Sequence, residues 1–339
     1  MKNWALSASS LLLFPIAGSA GTVDVAHTDI TVGGGAAAGY LYSTNTGSDN
    51  QDDFHITDFL LDVSGETKSG MGMGMSFNAG LGLLRQPTVY DGGVSGTDPS
   101  PVPNDIYYGS LTATPMEGLD ISVGQLATNI GYEVAPTFAN ANMTLGALWN
   151  AQPVYYPGGR VTYSTDNASV FAEVNNDTSQ GATNGWAIGA SAEAMNVSYA
   201  VNYYNADGGK DMVDLIASST VAGLDVGANL DYHILDDEAK TPGMSDDSAL
   251  GLGLYVTPKF GAVAVPLRGE YLSDGDTGVY GGVDTGFTVT ATPTYYFDSN
   301  AFVRAEVAFV SSDKKVFTDD NGNLKDSNTS AALQMGYMF

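Results

Sequence analysis

The run MGMGMSFNAGLGL, residues 71–83, alternates without a break. Met71, Met73, Met75, Phe77, Ala79, Leu81 and Leu83 share one parity, and Gly72, Gly74, Ser76, Asn78, Gly80 and Gly82 the other. Successive side chains of a strand point to opposite faces, so the segment predicts a strand with one continuous apolar face and one small or polar face. The pattern recurs in Val197, Tyr199, Val201 and Tyr203; in Leu224, Val226, Ala228, Leu230 and Tyr232; in Leu250, Leu252, Leu254 and Val256; and in Val303, Ala305, Val307 and Phe309. The second face is too polar for the core of a sandwich, and the first is as long as a strand crossing a bilayer requires.

Sixteen such segments follow one another, at 31–42, 54–65, 70–84, 105–115, 118–126, 158–166, 168–176, 184–194, 196–205, 211–221, 223–233, 248–258, 262–273, 285–297, 299–311 and 328–339. Every second junction is a tight turn (TKSG, PMEG, DN, MN, AG, KFGA and DS), whereas the others are mostly longer, led by residues 127–157. Short turns on one side and long loops on the other describe an all-β fold: a transmembrane, antiparallel, up-and-down β-barrel with both termini on the turn side. The strand number is settled to within one hairpin. A hairpin loop at Asp166 and Asn167 sets Tyr163 opposite Val170, Val161 opposite Ala172 and Arg160 opposite Glu173, sorting apolar and charged pairs onto different faces. A turn at Ala194 and Met195 likewise sets Trp186 opposite Tyr203. Tyr40, Tyr42, Tyr232, Tyr271 and Phe309 then make an aromatic girdle at the loop end, and Tyr295, Phe297, Tyr337 and Phe339 one at the turn end.

Residues 1–20, MKNWALSASSLLLFPIAGSA, combine one Lys, an apolar stretch, and Gly18 and Ala20 in a cleavage-like position. They read as a secretory signal peptide, with the barrel spanning 21–339; Ser7, Ser9, Ser10 and Pro15 weigh against a membrane anchor. No later segment approaches the roughly 20 apolar residues of a spanning helix. At the other end, SAALQMGYMF puts Phe339, Tyr337, Met335, Leu333 and Ala331 on one face. Pairing this strand with the first leaves no backbone polar group facing lipid. The ending resembles the carboxy-terminal signal of bacterial outer-membrane proteins. That resemblance implies handling by the barrel-assembly machinery during biogenesis and a place in the outer membrane of a Gram-negative bacterium.

Composition removes other classes. The chain has no Cys, which excludes a disulfide scaffold and thiolate metal sites. Its 12 basic and 38 acidic residues give a net charge of −26, which makes nucleic acid an improbable partner. DDEAKTPGMSDD, SDGDTG and TDDNGNLKD read as solvated outer loops. Around Gly322, the residues Asp319, Asp320, Asn321 and Asn323 are too closely spaced for an EF-hand loop and lack its final Glu, so an Asx-rich turn is expected. The three histidines, His27, His55 and His233, belong to no nucleophile or zinc motif. Neither an enzyme nor a bound cofactor is expected.

Residues 127–157 carry a single charged residue, Glu133, beside Phe138, Leu145, Leu148, Trp149, Tyr155 and Tyr156. A junction this long is functional or disordered, and this one is too apolar for disorder. It should pack against something: the lumen wall, the outer rim or a neighbouring subunit. The run GQLATNIGYEVAPTFANANMTLGALWNAQPVYYPGGRVTYS resembles the OmpL-like bacterial outer-membrane β-barrel porin family. The resemblance rests on Gly131, Tyr132 and Glu133; Asn140 and Asn142; Pro153 and Tyr155; and Gly159, Arg160 and Val161, in that order. Joining the fifth and sixth strands, the segment also resembles the third loop of sixteen-stranded general porins, which implies that it folds into the lumen and narrows a channel.

By alternation, Arg160, Glu173, Glu193, Asp231, Arg268, Glu270, Arg304 and Glu306 face the lumen. Glu193 apart, they are the expected channel lining or constriction, together with Tyr132, Glu133, Asn140, Asn142 and Trp149. Cross-strand pairing that merely satisfies a wet wall is the other role open to them. The resemblance implies an outer-membrane porin, a passive diffusion channel for small hydrophilic solutes; the acid excess keeps the surface soluble, recruits divalent cations among charged lipids, or biases permeation toward cations. Its expected surroundings are outer-membrane lipid and lipopolysaccharide. A homotrimer would pack through the small outward patch Gly34, Ala36 and Ala38. The rival reading is a structural or adhesion barrel whose acidic loops bind cations or surface partners.

Overall fold

The sixteen alternating segments become sixteen strands. The structure, a computed structural model, describes residues 19–25, 28–47, 52–67, 73–90, 105–176, 183–206 and 208–339; residues 1–18, His27 and Met71 lie outside the described residues. In chain order the strands are β1 (Thr28–Ser43), β2 (Asp52–Thr67), β3 (Gly74–Leu84), β4 (Asp105–Met116), β5 (Leu119–Ala127), β6 (Tyr155–Ser164), β7 (Ala168–Asn176) and β8 (Thr183–Ala194). They continue with β9 (Val197–Ala206), β10 (Lys210–Val221), β11 (Leu224–Leu235), β12 (Ser248–Thr257), β13 (Val263–Ala264 and Leu267–Ser273), β14 (Thr285–Ala291 and Thr294–Tyr296), β15 (Ala301–Ser312) and β16 (Ser327–Met338). β13 and β14 are interrupted at Pro266 and Pro293, which have no N–H to give to the ladder. Pairing continues because both proline carbonyls accept, from the N–H of Thr292 at 2.9 Å and of Ala305 at 3.0 Å.

Each strand is antiparallel to its neighbours, and β16 returns to β1, from Gly35 opposite Met338 to Ser43 opposite Ser330. Gly34 and Phe339 exchange both backbone hydrogen bonds, at 2.9 and 3.0 Å. Where β16 stops, a short strand, Ser19–Val25, takes over the same edge of β1. The terminal strand is thus covered within its own chain. Along β16, Leu333, Met335 and Tyr337 are more than half exposed, whereas Ser330 and Gln334 are buried. That inversion, with apolar residues outside and polar residues inside, is what lipid on the outer face demands. Tyr42, Tyr232, Tyr271 and Phe309 are exposed at the loop end, and Tyr295, Phe297 and Tyr337 at the turn end.

Register follows the alternation, with one shift. Arg160 faces Glu173, Val161 faces Ala172 and Tyr163 faces Val170, as expected. Between β8 and β9 the two-residue loop is Met195–Asn196 rather than Ala194–Met195, so Trp186 faces Asn205, and Tyr203 faces Ile188. Both loop residues have left-handed φ, 55° and 62°. Asn tolerates that conformation well, which centres the hairpin one residue further on. The displacement moves the pairing by an even number of residues and keeps every face. The rings of Trp186 and Tyr203 still meet diagonally, with centroids 5.2 Å apart.

Among the register shifts of the described strands are two β-bulges in the loop-end half of the wall. Ala37 faces Asp58 and Ala38 faces Ile56, leaving Thr57 as the extra residue in β2. Gly80 faces Tyr108 and Leu81 faces Ile106, leaving Tyr107 as the extra residue in β4. At the loop end, Asp276 accepts from the backbone N–H of Ser245 (2.7 Å) and Asp246 (2.8 Å), which clasps the loops after β11 and β13. These N–H groups hold its carboxyl down to about 2. Asp319 accepts from the N–H of Asn321 (3.0 Å) and Asn323 (2.7 Å), the expected Asx-rich turn.

A Cβ at Gly34 would lie 2.0 Å from the carbonyl oxygen of Leu60, on a residue with φ of +150°. Gly34→Val should therefore destabilise the barrel by on the order of 3 kcal/mol. The readout is the urea midpoint for loss of the heat-resistant folded band on an unboiled gel. An unchanged midpoint would show that closure does not depend on this approach.

Candidate functional site

Residues 128–154, between β5 and β6, turn back through the interior of the barrel. Phe138, Leu145 and Trp149 pack on Ala37, Leu60 and Leu84 of β1, β2 and β3, while Leu148 packs on Ala249, Leu272 and Val310 of β12, β13 and β15. The segment therefore touches opposite walls. Short 3-10 turns at Thr137–Ala139 and Leu148–Ala151 compact it. The loop after β3 lies over it, with Val89 N–H donating to the Leu145 carbonyl (3.0 Å) and Leu145 N–H to the Pro87 carbonyl (2.8 Å).

A loop held away from water needs partners for its backbone N–H groups, and here wall carboxylates supply them. Glu306 on β15 accepts from Met143 N–H (2.5 Å), Thr144 N–H (2.9 Å) and the Thr144 hydroxyl (2.5 Å). Glu270 on β13 accepts from Ala147 N–H (2.9 Å), Leu148 N–H (3.1 Å) and the Thr288 hydroxyl (2.5 Å). Asp58 accepts from Thr137 N–H (3.0 Å) and its hydroxyl. Within the loop, Glu133 accepts from Gly146 N–H (2.6 Å).

Arginines bind the loop carbonyls and balance these acids. Arg268 donates to Glu133 (2.5 Å), to the Thr144 carbonyl (2.6 Å) and to the Thr290 hydroxyl (3.1 Å). Its Nε stands 3.7 Å from Glu270, an ion pair without a hydrogen bond. Arg304 donates to the carbonyls of Thr137 and Asn140, both at 2.9 Å, and to Gln334 (2.7 Å). Arg160 donates to Glu173 (2.6 Å), Asn129 (3.2 Å) and the Ala127 carbonyl (2.8 Å). On the far wall, Gln152 donates to Asp231 (2.6 Å) and Asn229 (3.0 Å), Tyr132 N–H to Asn229 (3.2 Å), and Asn202 to the Asn129 carbonyl (3.0 Å). Charge-assisted bonds of this kind are strong, and breaking one partner of a buried pair strands the other.

Eleven of the twelve residues expected at the site lie in this loop or bond to it, and Glu173 is joined to it through Arg160. Tyr132 stacks on Tyr255 with centroids 4.0 Å apart, over Gly227, where a Cβ would come within 2.5 Å of the ring. Burial pushes the Tyr132 phenol up to about 12. Asn140 accepts from Val134 N–H (2.9 Å), Asn142 donates to Thr292 (2.7 Å), and Trp149 is buried among apolar neighbours. Glu173, Asp231, Arg268, Glu270, Arg304 and Glu306 are at most 4% exposed, so they face protein partners rather than free water. Glu193 stands apart, exposed at the turn end.

Reading by alternation overlooked Thr57, Asp58, Asn202, Asp214, Asn229 and Gln334, all buried and polar. Asp214 directly faces Asp231, so parity alone could have found it. Thr57 and Asp58 could not be found that way, because the bulge turns both of them inward to Thr137.

Nearer the turn end the wall keeps a polar, partly exposed surface. Ser110 donates to Asn78 (2.8 Å), Thr114 to Asp120 (2.6 Å) and Tyr108 to Asp62.

Glu306→Ala should leave the N–H groups of Met143 and Thr144 unpaired, at about 2 kcal/mol. Hydrogen exchange at those two amides should accelerate about 30-fold. Exchange as slow as in the parent protein would mean that the carboxylate does not hold the loop.

The family model described as "Putative beta-barrel porin-2, OmpL-like" matches residues 29–339. No curated protein sequence matches. Among solved structures, the outer membrane channel DcaP of Acinetobacter baumannii is similar at 13% identity, covering 94% of this chain and 100% of its own, with a TM-score of 0.66. The anion-selective porin from Comamonas acidovorans is similar at 12% identity, covering 92% and 100%, with a TM-score of 0.65. OmpT of Vibrio cholerae is similar at 10% identity, covering 94% and 100%, also with a TM-score of 0.65. At these identities the likeness concerns the fold.

Proposed function

The chain belongs to the "Putative beta-barrel porin-2, OmpL-like" family of outer-membrane barrels, and from that membership we propose that it is a passive diffusion channel for small hydrophilic solutes. In this reading residues 128–154 set the size limit, and the permeating ions are preferentially cations. Glu133, Asn140, Asn142, Trp149 and the wall charges around them act by holding that constriction in place.

The observation that carries the reading is the condition of the lumen charges. Arg160 and Arg268 are each engaged by a carboxylate and a backbone carbonyl, and Arg304 by the carbonyls of Thr137 and Asn140 and the Gln334 amide oxygen. Asp62 and Asp120 instead have hydroxyl partners on a partly exposed wall, and Glu193 is exposed. Carboxylates without a counter-charge along an aqueous path attract cations and repel anions. The fold alone does not set this preference, since an anion-selective porin shares it.

Single-channel recording in planar bilayers tests both parts. The parent chain should conduct, and a variant lacking residues 135–150 should conduct more. Zero-current potentials in a salt gradient should show cation preference, reduced about twofold or more when Asp62, Asp120 and Glu193 are all made amides. Anion preference would sink the selectivity claim. Conduction by the deletion variant alone would make the loop a plug and bring the structural or adhesion reading forward. A homotrimer built on Gly34, Ala36 and Ala38 belongs to the same reading. Native mass in detergent reads it, and a monomer would remove it.

A further inference from the structure

We propose that the loop-end mouth of the barrel holds a binding site for a neutral sugar ring, an inference that rests on the channel reading and gives it a solute class. A cavity of about 540 Å³ opens between the loops that follow β1, β3, β13 and β15. That size suits a mono- or disaccharide. Asn45, Thr46, Gly47, Tyr90, Phe317 and Thr318 form most of its wall.

Among the described residues no lining side chain is charged, although the same loops carry Asp274, Asp284, Asp313, Asp319 and Asp320. An ion would leave water there without meeting a counter-charge, so the lining selects a neutral ligand. Tyr90 and Phe317 form a two-ring platform, with centroids 6.3 Å apart and planes inclined at 30°. The Tyr90 hydroxyl donates to the Tyr280 carbonyl at 2.9 Å, so its oxygen is already engaged and its contribution to the cavity wall is apolar. An aromatic face suits the C–H side of a pyranose.

Polar groups beside the platform supply the rest of the recognition. Thr46 Oγ1 is buried with no hydrogen-bond partner among the described residues. Asn45 gives its Nδ2 to the Ser327 carbonyl at 2.7 Å, which leaves its Oδ1 as an acceptor. Sugar hydroxyls both donate and accept, and so can serve both atoms; a plain aromatic solute would stack without satisfying either. The walls are fixed in advance. Gly47 N–H donates to the Thr318 carbonyl at 2.7 Å, and Asn328 donates to the Tyr90 carbonyl at 2.7 Å. Such preorganisation lowers the ordering cost of binding a weakly held ligand.

The test is equilibrium binding of glucose and maltose to the full chain folded in lauryldimethylamine oxide, a detergent without a sugar headgroup. Saturable binding in the millimolar range is expected. Tyr90→Leu should weaken it about tenfold, and the shape-preserving Thr46→Val about fivefold. Glucose 6-phosphate should bind at least about fivefold more weakly than glucose. Absence of saturation, insensitivity to Thr46→Val, or equal binding of benzyl alcohol would each overturn the site. Should Tyr90→Leu fail to fold, Thr46→Val and the phosphate comparison decide. Because binding is read in micelles and conduction in bilayers, the two readings fail separately. Conduction without binding removes the sugar site alone, and binding without conduction removes the channel.

Discussion

The constraint on which everything else depends is that lipid offers no hydrogen bonds. Every strand edge must therefore be paired within the chain, and only a closed ring does this. The seam between β1 and β16, ending in the mutual bonds of Gly34 and Phe339, completes that ring. With the seam made, one face of each strand is committed to lipid and the other to an interior. Sixteen strands enclose more space than wall side chains can fill. The interior is left to be occupied by water or by chain, and residues 128–154 take part of it.

An irregular segment at that depth raises the same requirement a second time. Its N–H groups and carbonyls have lost water and must find partners inside the barrel. The solution divides by chemistry. Carboxylates of Asp58, Glu270 and Glu306 take N–H groups, while Arg268, Arg304 and Arg160 take carbonyls. The wall charges are therefore the missing secondary structure of the loop. Asp62 and Asp120, which the loop does not use, stay on the partly exposed wall with hydroxyl partners.

Much of this was legible in the chain because the governing signals are local. Period-two alternation reports faces one residue at a time, and turn chemistry reports hairpins within a few residues. This is why sixteen strands, the Arg160–Glu173 pair and the closing terminal strand follow from reading alone. The same locality explains the misses. An Asn at a turn centre moved the β8–β9 hairpin by one position, and a single extra residue at Thr57 put two consecutive polar side chains on one face.

The sequence by itself determined the barrel, its lipid and lumen faces, its closure, and the presence of one long apolar loop too greasy for solvent. Tertiary structure decided which lumen charges remain in water. Glu133 and Arg268 are 135 residues apart, and Thr137 and Arg304 are 167 apart. No local pattern relates them. Only ring closure brings their strands around a common interior, and only burial then makes pairing obligatory, since a lone charge held there would be far costlier than one in water.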